Sequence, residues 1–192
     1  MTIKTIIASN KPNTICSIDA STNSLAFAIF SGNSLDKFGK INFQGMNTYS
    51  KVKDAARKTL ALFKQFDIDA IVIEHTVFIN SPKTAADLAL VQGALLGAAG
   101  IAGIKVAGAV NPISWQSFIG NGKTTKDAKL LVRNEFPGKS DSWYKNFDRE
   151  SRKQKTINFI NINYDIVVSD NDVADAIGIG HWAIHNWGKL TK

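Results

Sequence analysis

The chain has 192 residues, 44% of them hydrophobic, and carries 23 Lys and Arg against 16 Asp and Glu for a formal net charge of +7. That length fits one α/β domain with a sizeable core, since domains commonly run about 100–200 residues. The lone Cys16 excludes an intramolecular disulfide, no stretch reaches the roughly 18 apolar residues of a membrane span, and Met1-Thr-Ile-Lys-Thr-Ile-Ile7 is too short for the apolar region of a signal peptide, so a cytosolic protein is expected.

In chain order, strands come first: about residues 14–19, then Leu25–Phe30, then roughly Leu35–Phe43, with Ser31-Gly-Asn-Ser34 as a turn. This reads as an antiparallel meander. Val52, Ala56, Leu60, Phe63 and Phe66 then recur at helical spacing and lead into an apolar strand, Ala70–Glu74. A second helix, about Thr84–Ala99, is rich in Ala and Gly, and Lys105–Val110 is a further strand. Asn111-Pro112 has the form of an N-cap and first helical residue. Thr124 with Asp127 resembles a capping box opening a helix to about Glu135. From Phe136 to Tyr164 the pattern is irregular, basic and aromatic, with a helix near Asp148–Ile160; a last helix runs from Ser169 or Asp170 to about Trp187. No repeat or linker divides the chain, so residues 1–192 form one domain with a basic aromatic insertion at about 137–162.

The charge is uneven. Between Asn121 and Lys155 stand Lys123, Lys126, Lys129, Arg133, Lys139, Lys145, Arg149, Arg152, Lys153 and Lys155, ten basic residues against five acids, which favours a polyanionic partner. Four acids stand out for the opposite reason. Asp19 and Glu74 close otherwise apolar strands, where an unpaired carboxylate is costly and a metal is the natural partner. Asp172 and Asp175 are three residues apart on the last helix, facing neighbouring directions. An acidic first turn favoured by the helix dipole accounts for that pair alone; the presence of Asp19 and Glu74 favours a shared metal site, with two Mg²⁺ ions held by hard oxygen ligands and Mn²⁺ able to substitute.

The order of elements, with acids on strand one, strand four and the last helix, is that of the RNase H-like nucleases: a mixed five-stranded sheet, three antiparallel strands and then parallel ones, flanked by helices. Ile18-Asp-Ala-Ser-Thr-Asn-Ser-Leu-Ala-Phe-Ala-Ile29, Ile73-Glu-His-Thr-Val-Phe78, Leu90-Val-Gln-Gly93 and Asp172-Val-Ala-Asp-Ala-Ile177 resemble the successive blocks of RuvC-type Holliday junction resolvases, including the shorter phage-encoded ones. The resemblance spans roughly residues 14–133 and 165–185. It implies that Asp19, Glu74, Asp172 and Asp175 are metal ligands, that Lys126 lies near the scissile phosphate, and that Phe78 stacks on an unpaired base, worth about 1–3 kcal/mol. It further implies a homodimer acting on branched DNA, in the host cytoplasm for a phage protein. Where the family carries a second lysine near the active site, this chain has Trp115. Lys123, Lys129, Lys145, Arg149, Arg152, Lys153 and Lys155 are the remaining expected DNA contacts.

Three other readings stand beside this one. A related nuclease would cut flaps or other branches. A non-catalytic junction-binding protein would gain nothing from four acids facing phosphates. An actin-like ATPase, suggested by Ile18-Asp-Ala-Ser-Thr22, needs a second domain that 192 residues do not hold. His181 and His185 lack a third zinc ligand at sensible spacing, and His75 is expected on the strand face opposite Glu74.

Overall fold

The computed structural model describes residues 11–75 and 81–190. Five strands, β1 (Thr14–Ala20), β2 (Ser24–Ser31), β3 (Ser34–Asn42), β4 (Ala70–Glu74) and β5 (Lys105–Val110), form one sheet in the order β3-β2-β1-β4-β5. The first three are antiparallel and the last two join in parallel, the mixed sheet expected from the sequence.

Alternation along the central strands divides the core in two. Cys16, Ile18, Ile71 and Ile73 point to one face, covered by α1 (Thr48–Gln65) and α2 (Pro82–Ala102). Ile15, Ala28, Phe30 and Val72 point to the other, covered by α3 (Pro112–Phe118), α5 (Asp141–Tyr164) and α6 (Asn171–Leu190). Every residue from Ile15 to Ile18 is buried, which is why β1 reads as a continuous apolar run. Cys16 is fully buried, and burial pushes its thiol up to about 12, consistent with an inert core thiol.

Several boundaries differ from expectation. The fourth helix, α4, spans Lys126–Glu135, and its cap is Thr125, whose side chain accepts from the Ala128 N–H; Thr124 instead donates to Asp148 on α5. The segment expected to be irregular is one helix of 24 residues, α5, capped by Ser140 and ended by Asp165 in the left-handed region (φ 51°). Its aromatic first half hides the helical pattern because those side chains pack on α4 rather than on the sheet: Phe136, Trp143 and Phe147 cluster, and the Tyr144 hydroxyl donates to the Phe136 carbonyl. Its second half buries Thr156, Ile157 and Ile160 in the core.

The expectation that no segment is long and apolar enough to span a membrane is corrected at α2. Among the described residues it is the one helix that passes by length and composition. Its inner residues Val91, Leu95, Ala98 and Ala99 are packed into the core beside α1 and the sheet. Its outer side is a separate matter, because Ala86, Ala89, Leu90, Gly93, Gly97 and Ile101 are not covered to the same degree, Leu90 and Ile101 being exposed.

Candidate active site

Residues directly opposite one another across a sheet share a face, so strand register alone assembles most of the site. Asp19 stands opposite Ala26, and Ala26 opposite Lys40. On the other side Ile18 pairs in parallel with Ile73, which sets Glu74 beside Asp19. Lys40, Asp19 and Glu74 thus lie along one row, at the C-terminal ends of β1 and β4, where α/β sheets place their sites.

Helix α6 closes over this row. Its start is fixed by Asp170, whose Oδ1 accepts from the N–H groups of Asp172 (2.9 Å) and Val173 (3.1 Å). Its height is fixed by Ser17, two residues before Asp19, whose hydroxyl donates to the Ala176 carbonyl at 2.7 Å. A Cβ on Gly180 would fall 2.2 Å from the Phe30 ring and 2.5 Å from Ser17 Oγ, so glycine is what lets helix and sheet approach this closely. The first two turns of α6 then carry Asp172 and Asp175 near enough to Asp19 and Glu74 for their charges to interact.

The electrostatics show the convergence. Burial, with repulsion from Glu74, Asp175 and Asp172, pushes Asp19 up to about 8, and Lys40 offsets only part of this. Burial, with repulsion from Glu74 and Asp172, pushes Asp175 up to about 7 against the pull of Lys153 and Arg152. Burial also raises Glu74, partly countered by a hydrogen bond from Trp115 Nε1 to its Oε1 at 2.8 Å. Asp172 is partly exposed and paired with Lys40, its Oδ2 on Lys40 Nζ at 2.6 Å, with Asp170 on the same ammonium at 3.0 Å. Among the described residues no three His, Cys, Asp or Glu side chains meet closely enough to hold one ion as oriented here. The donor set nonetheless fits a hard divalent cation, because carboxylates from three elements repel one another and added positive charge would relieve that repulsion.

A pH dependence follows. In the unfolded chain both aspartates titrate near about pH 4. Between there and their raised folded values, the folded protein keeps protons that the unfolded chain has released, so stability falls as pH rises through this window. Scanning calorimetry in EDTA should give a lower Tm at about pH 8 than at about pH 5, and Mg²⁺ should raise the Tm more at the higher pH. A Tm that climbs steadily over that range without metal would contradict the crowding of these carboxylates.

Of the expected cationic residues, Lys126 is exposed at the first position of α4, and Lys123 is exposed in the loop before it. Lys129, Lys145 and Lys155 line a cleft of about 470 Å³ between α4 and α5 together with Arg133, Tyr144 and Phe147. Arg149 is exposed, whereas Arg152 turns inward to Gln116 on α3, and Lys153 pairs with Glu150 at 3.0 Å. Phe78 lies outside the described residues. His75 is exposed, and His181 accepts from or donates to the Tyr164 hydroxyl at 2.6 Å; burial, then His185, pushes its pKa down to about 4. One contributor escapes sequence reading: Lys40 shares a row with Asp19 only once the strand order is known. Trp115, which the resemblance sets at the position of an active-site lysine, reaches Glu74 through the placement of α3.

No protein-family model and no curated protein matches the sequence. Solved structures do match by fold. RuvC of Thermus thermophilus bound to a Holliday junction substrate aligns with TM-score 0.66 at 15% identity over 94% of this chain and 98% of that one. A second Thermus thermophilus RuvC structure gives 0.66 at 14% over 92% and 97%. The yeast mitochondrial Holliday junction resolvase gives 0.53 at 12% over 92% and 81%. With its strand order, its flanking helices and nearly its full length in common with these structures, the chain has the RuvC-type, RNase H-like fold.

Proposed function

We propose that this protein is a Mg²⁺-dependent, structure-selective DNA endonuclease that resolves four-way junctions as a homodimer. The observation that carries the reading is the gathering of Asp19, Glu74 and Asp175 in a buried place, where burial raises all three and repulsion among the acids raises Asp19 and Asp175 further. Such clusters of perturbed groups belong to functional sites more often than to structural ones. Asp19, Glu74, Asp172 and Asp175 would hold the divalent metal, which in phosphodiester hydrolysis supplies an activated water and neutralises charge on the attacking and leaving oxygens. Asp19 has the most rigid seat, within the central strand. Lys126, beside the scissile phosphate, would stabilise charge that develops there.

The exposed lysines of α4 and α5 would track a DNA arm. Replacing Lys145, Arg149 and Lys155 together with Ala should weaken binding to all DNA sequences and flatten the salt dependence, by about 0.9 in log–log slope for each phosphate no longer neutralised. Fluorescence anisotropy at several salt concentrations measures this, and an unchanged slope would place the DNA elsewhere.

The direct test incubates the protein with labelled four-way junction, flap and plain duplex, in Mg²⁺ or EDTA. Paired, symmetric, Mg²⁺-dependent cuts confined to the junction support the reading. Preference for flaps would make it a different branch nuclease, and tight junction binding without any cutting would make it a binding protein.

A further inference from the structure

Glu74 is held at its side chain and its backbone by different elements. Trp115 Nε1 donates to Glu74 Oε1 at 2.8 Å, and Gln92 Nε2 on α2 donates to the Glu74 carbonyl at 3.3 Å. Trp115 itself has little freedom. It is fully buried, and it sits in the short α3, whose start is set by Pro112 and by Asn111 accepting from the Ile113 N–H. Its ring lies against α6 at Gly178, where a Cβ would come within 2.7 Å of Cζ3. Gly178 is one turn beyond Asp175, so the indole spans from Glu74 to the helix that carries Asp172 and Asp175.

We propose that Trp115 is a positioning residue for Glu74, its indole N–H fixing one carboxylate oxygen so that the other is presented to the divalent cation. This rests on the nuclease reading above. A carboxylate on a free rotamer must be ordered when metal binds, and an indole donor orders it beforehand without adding a charge that would compete with the cation. Trp115 is neutral where a lysine would repel the metal, and its N–H can only donate, so it holds one oxygen of Glu74 in place without competing as a ligand. The glycine at 178 is what leaves room for the ring, so the device involves three elements: α3, β4 and α6.

Two replacements test it. Trp115→Phe removes the N–H and part of the ring; benzothienylalanine introduced at position 115 keeps the bicyclic shape and replaces the N–H with sulfur. Metal binding is read without catalysis, by water-proton relaxation as Mn²⁺ is titrated into DNA-free protein, alongside junction cleavage over a Mg²⁺ series and the Tm in EDTA. Both replacements should weaken Mn²⁺ binding and raise the Mg²⁺ concentration for half-maximal cleavage roughly tenfold or more, as removal of a ligand-orienting partner does. Junction affinity in EDTA should not change, and the benzothienylalanine protein should keep the parental Tm. Parental Mn²⁺ affinity in both would overturn the assignment while leaving the nuclease intact, and so would unfolding of the benzothienylalanine protein, since the N–H would then support the fold. If the unaltered protein neither binds Mn²⁺ nor cuts, the nuclease reading itself falls.

Discussion

Asp19→Asn should reduce junction cleavage by roughly a hundred- to a thousandfold or more, the effect that follows removal of one preorganised group acting on developing charge, while junction binding persists or tightens. The asparagine is nearly isosteric, so β1 and its neighbours keep their packing, and the change removes one negative charge from a cluster already strained by repulsion. Two consequences separate this from a simple folding defect. The metal-free protein should be more stable than the parent at about pH 8, because the group whose ionisation burial opposes is gone. Affinity for DNA should not fall, because a negative charge facing phosphate is removed. Cleavage is measured under single-turnover conditions and binding by gel shift in Ca²⁺, which supports binding but holds an attacking water poorly because its coordination is longer and looser. Near-normal cutting by Asp19→Asn, or robust cutting in Ca²⁺, would sink the metal mechanism.

Gly93→Arg should weaken the proposed dimer by roughly a hundredfold or more, because two-fold symmetry would bring two buried arginines against each other, and like charges meeting in an interface cost several kcal/mol. The outward side of α2 has what a self-complementary surface needs. Leu90 and Ile101 are 44% and 75% exposed, and Gly93, Gly97 and Gly100 have open space where a Cβ would stand. Glycine inside a helix is disfavoured by about 1 kcal/mol against alanine, and among the described residues nothing packs where a Cβ would stand at these positions; in the proposed dimer, close approach of a second α2 would account for them. That open space also means the folded monomer accommodates the arginine, so the variant should stay folded. Sedimentation of the parent at micromolar concentration should give twice the 20.9 kDa chain mass, and the variant half of that. Since a four-way junction has two symmetric strands to cut, the monomeric variant should nick one strand and release few paired products. A parent that is monomeric, free and on the junction, yet makes paired cuts would refute the arrangement.

The central strands and the acids were legible in the sequence because burial imposes a pattern on short segments. Cys16, Ile18, Ile71 and Ile73 fill one sheet face and Ile15 and Val72 the other, so β1 and β4 read as apolar runs ending in a lone acid. The cap of α3 was as clear, since Asn111 and Pro112 carry their geometry locally, whereas the cap of α4 was misplaced by one residue, because Thr124 and Thr125 are alike in type and only the contact of Thr124 with Asp148 on α5 separates them. Helix α5 was half hidden, because Trp143, Tyr144 and Phe147 satisfy one another and α4 instead of a core, and a helix that packs locally shows no core-facing period. What only the tertiary structure decided are the contacts between elements distant in sequence. Lys40 meets Asp172 across 132 positions, and Trp115 meets Glu74 across 41. Such pairs depend on strand order, on the height of α6 over the sheet and on two glycines that permit it, none of which leaves a periodic trace. Residue type and spacing determined which groups could act; the close packing of α3 and α6 on β1 and β4 determined how each is held.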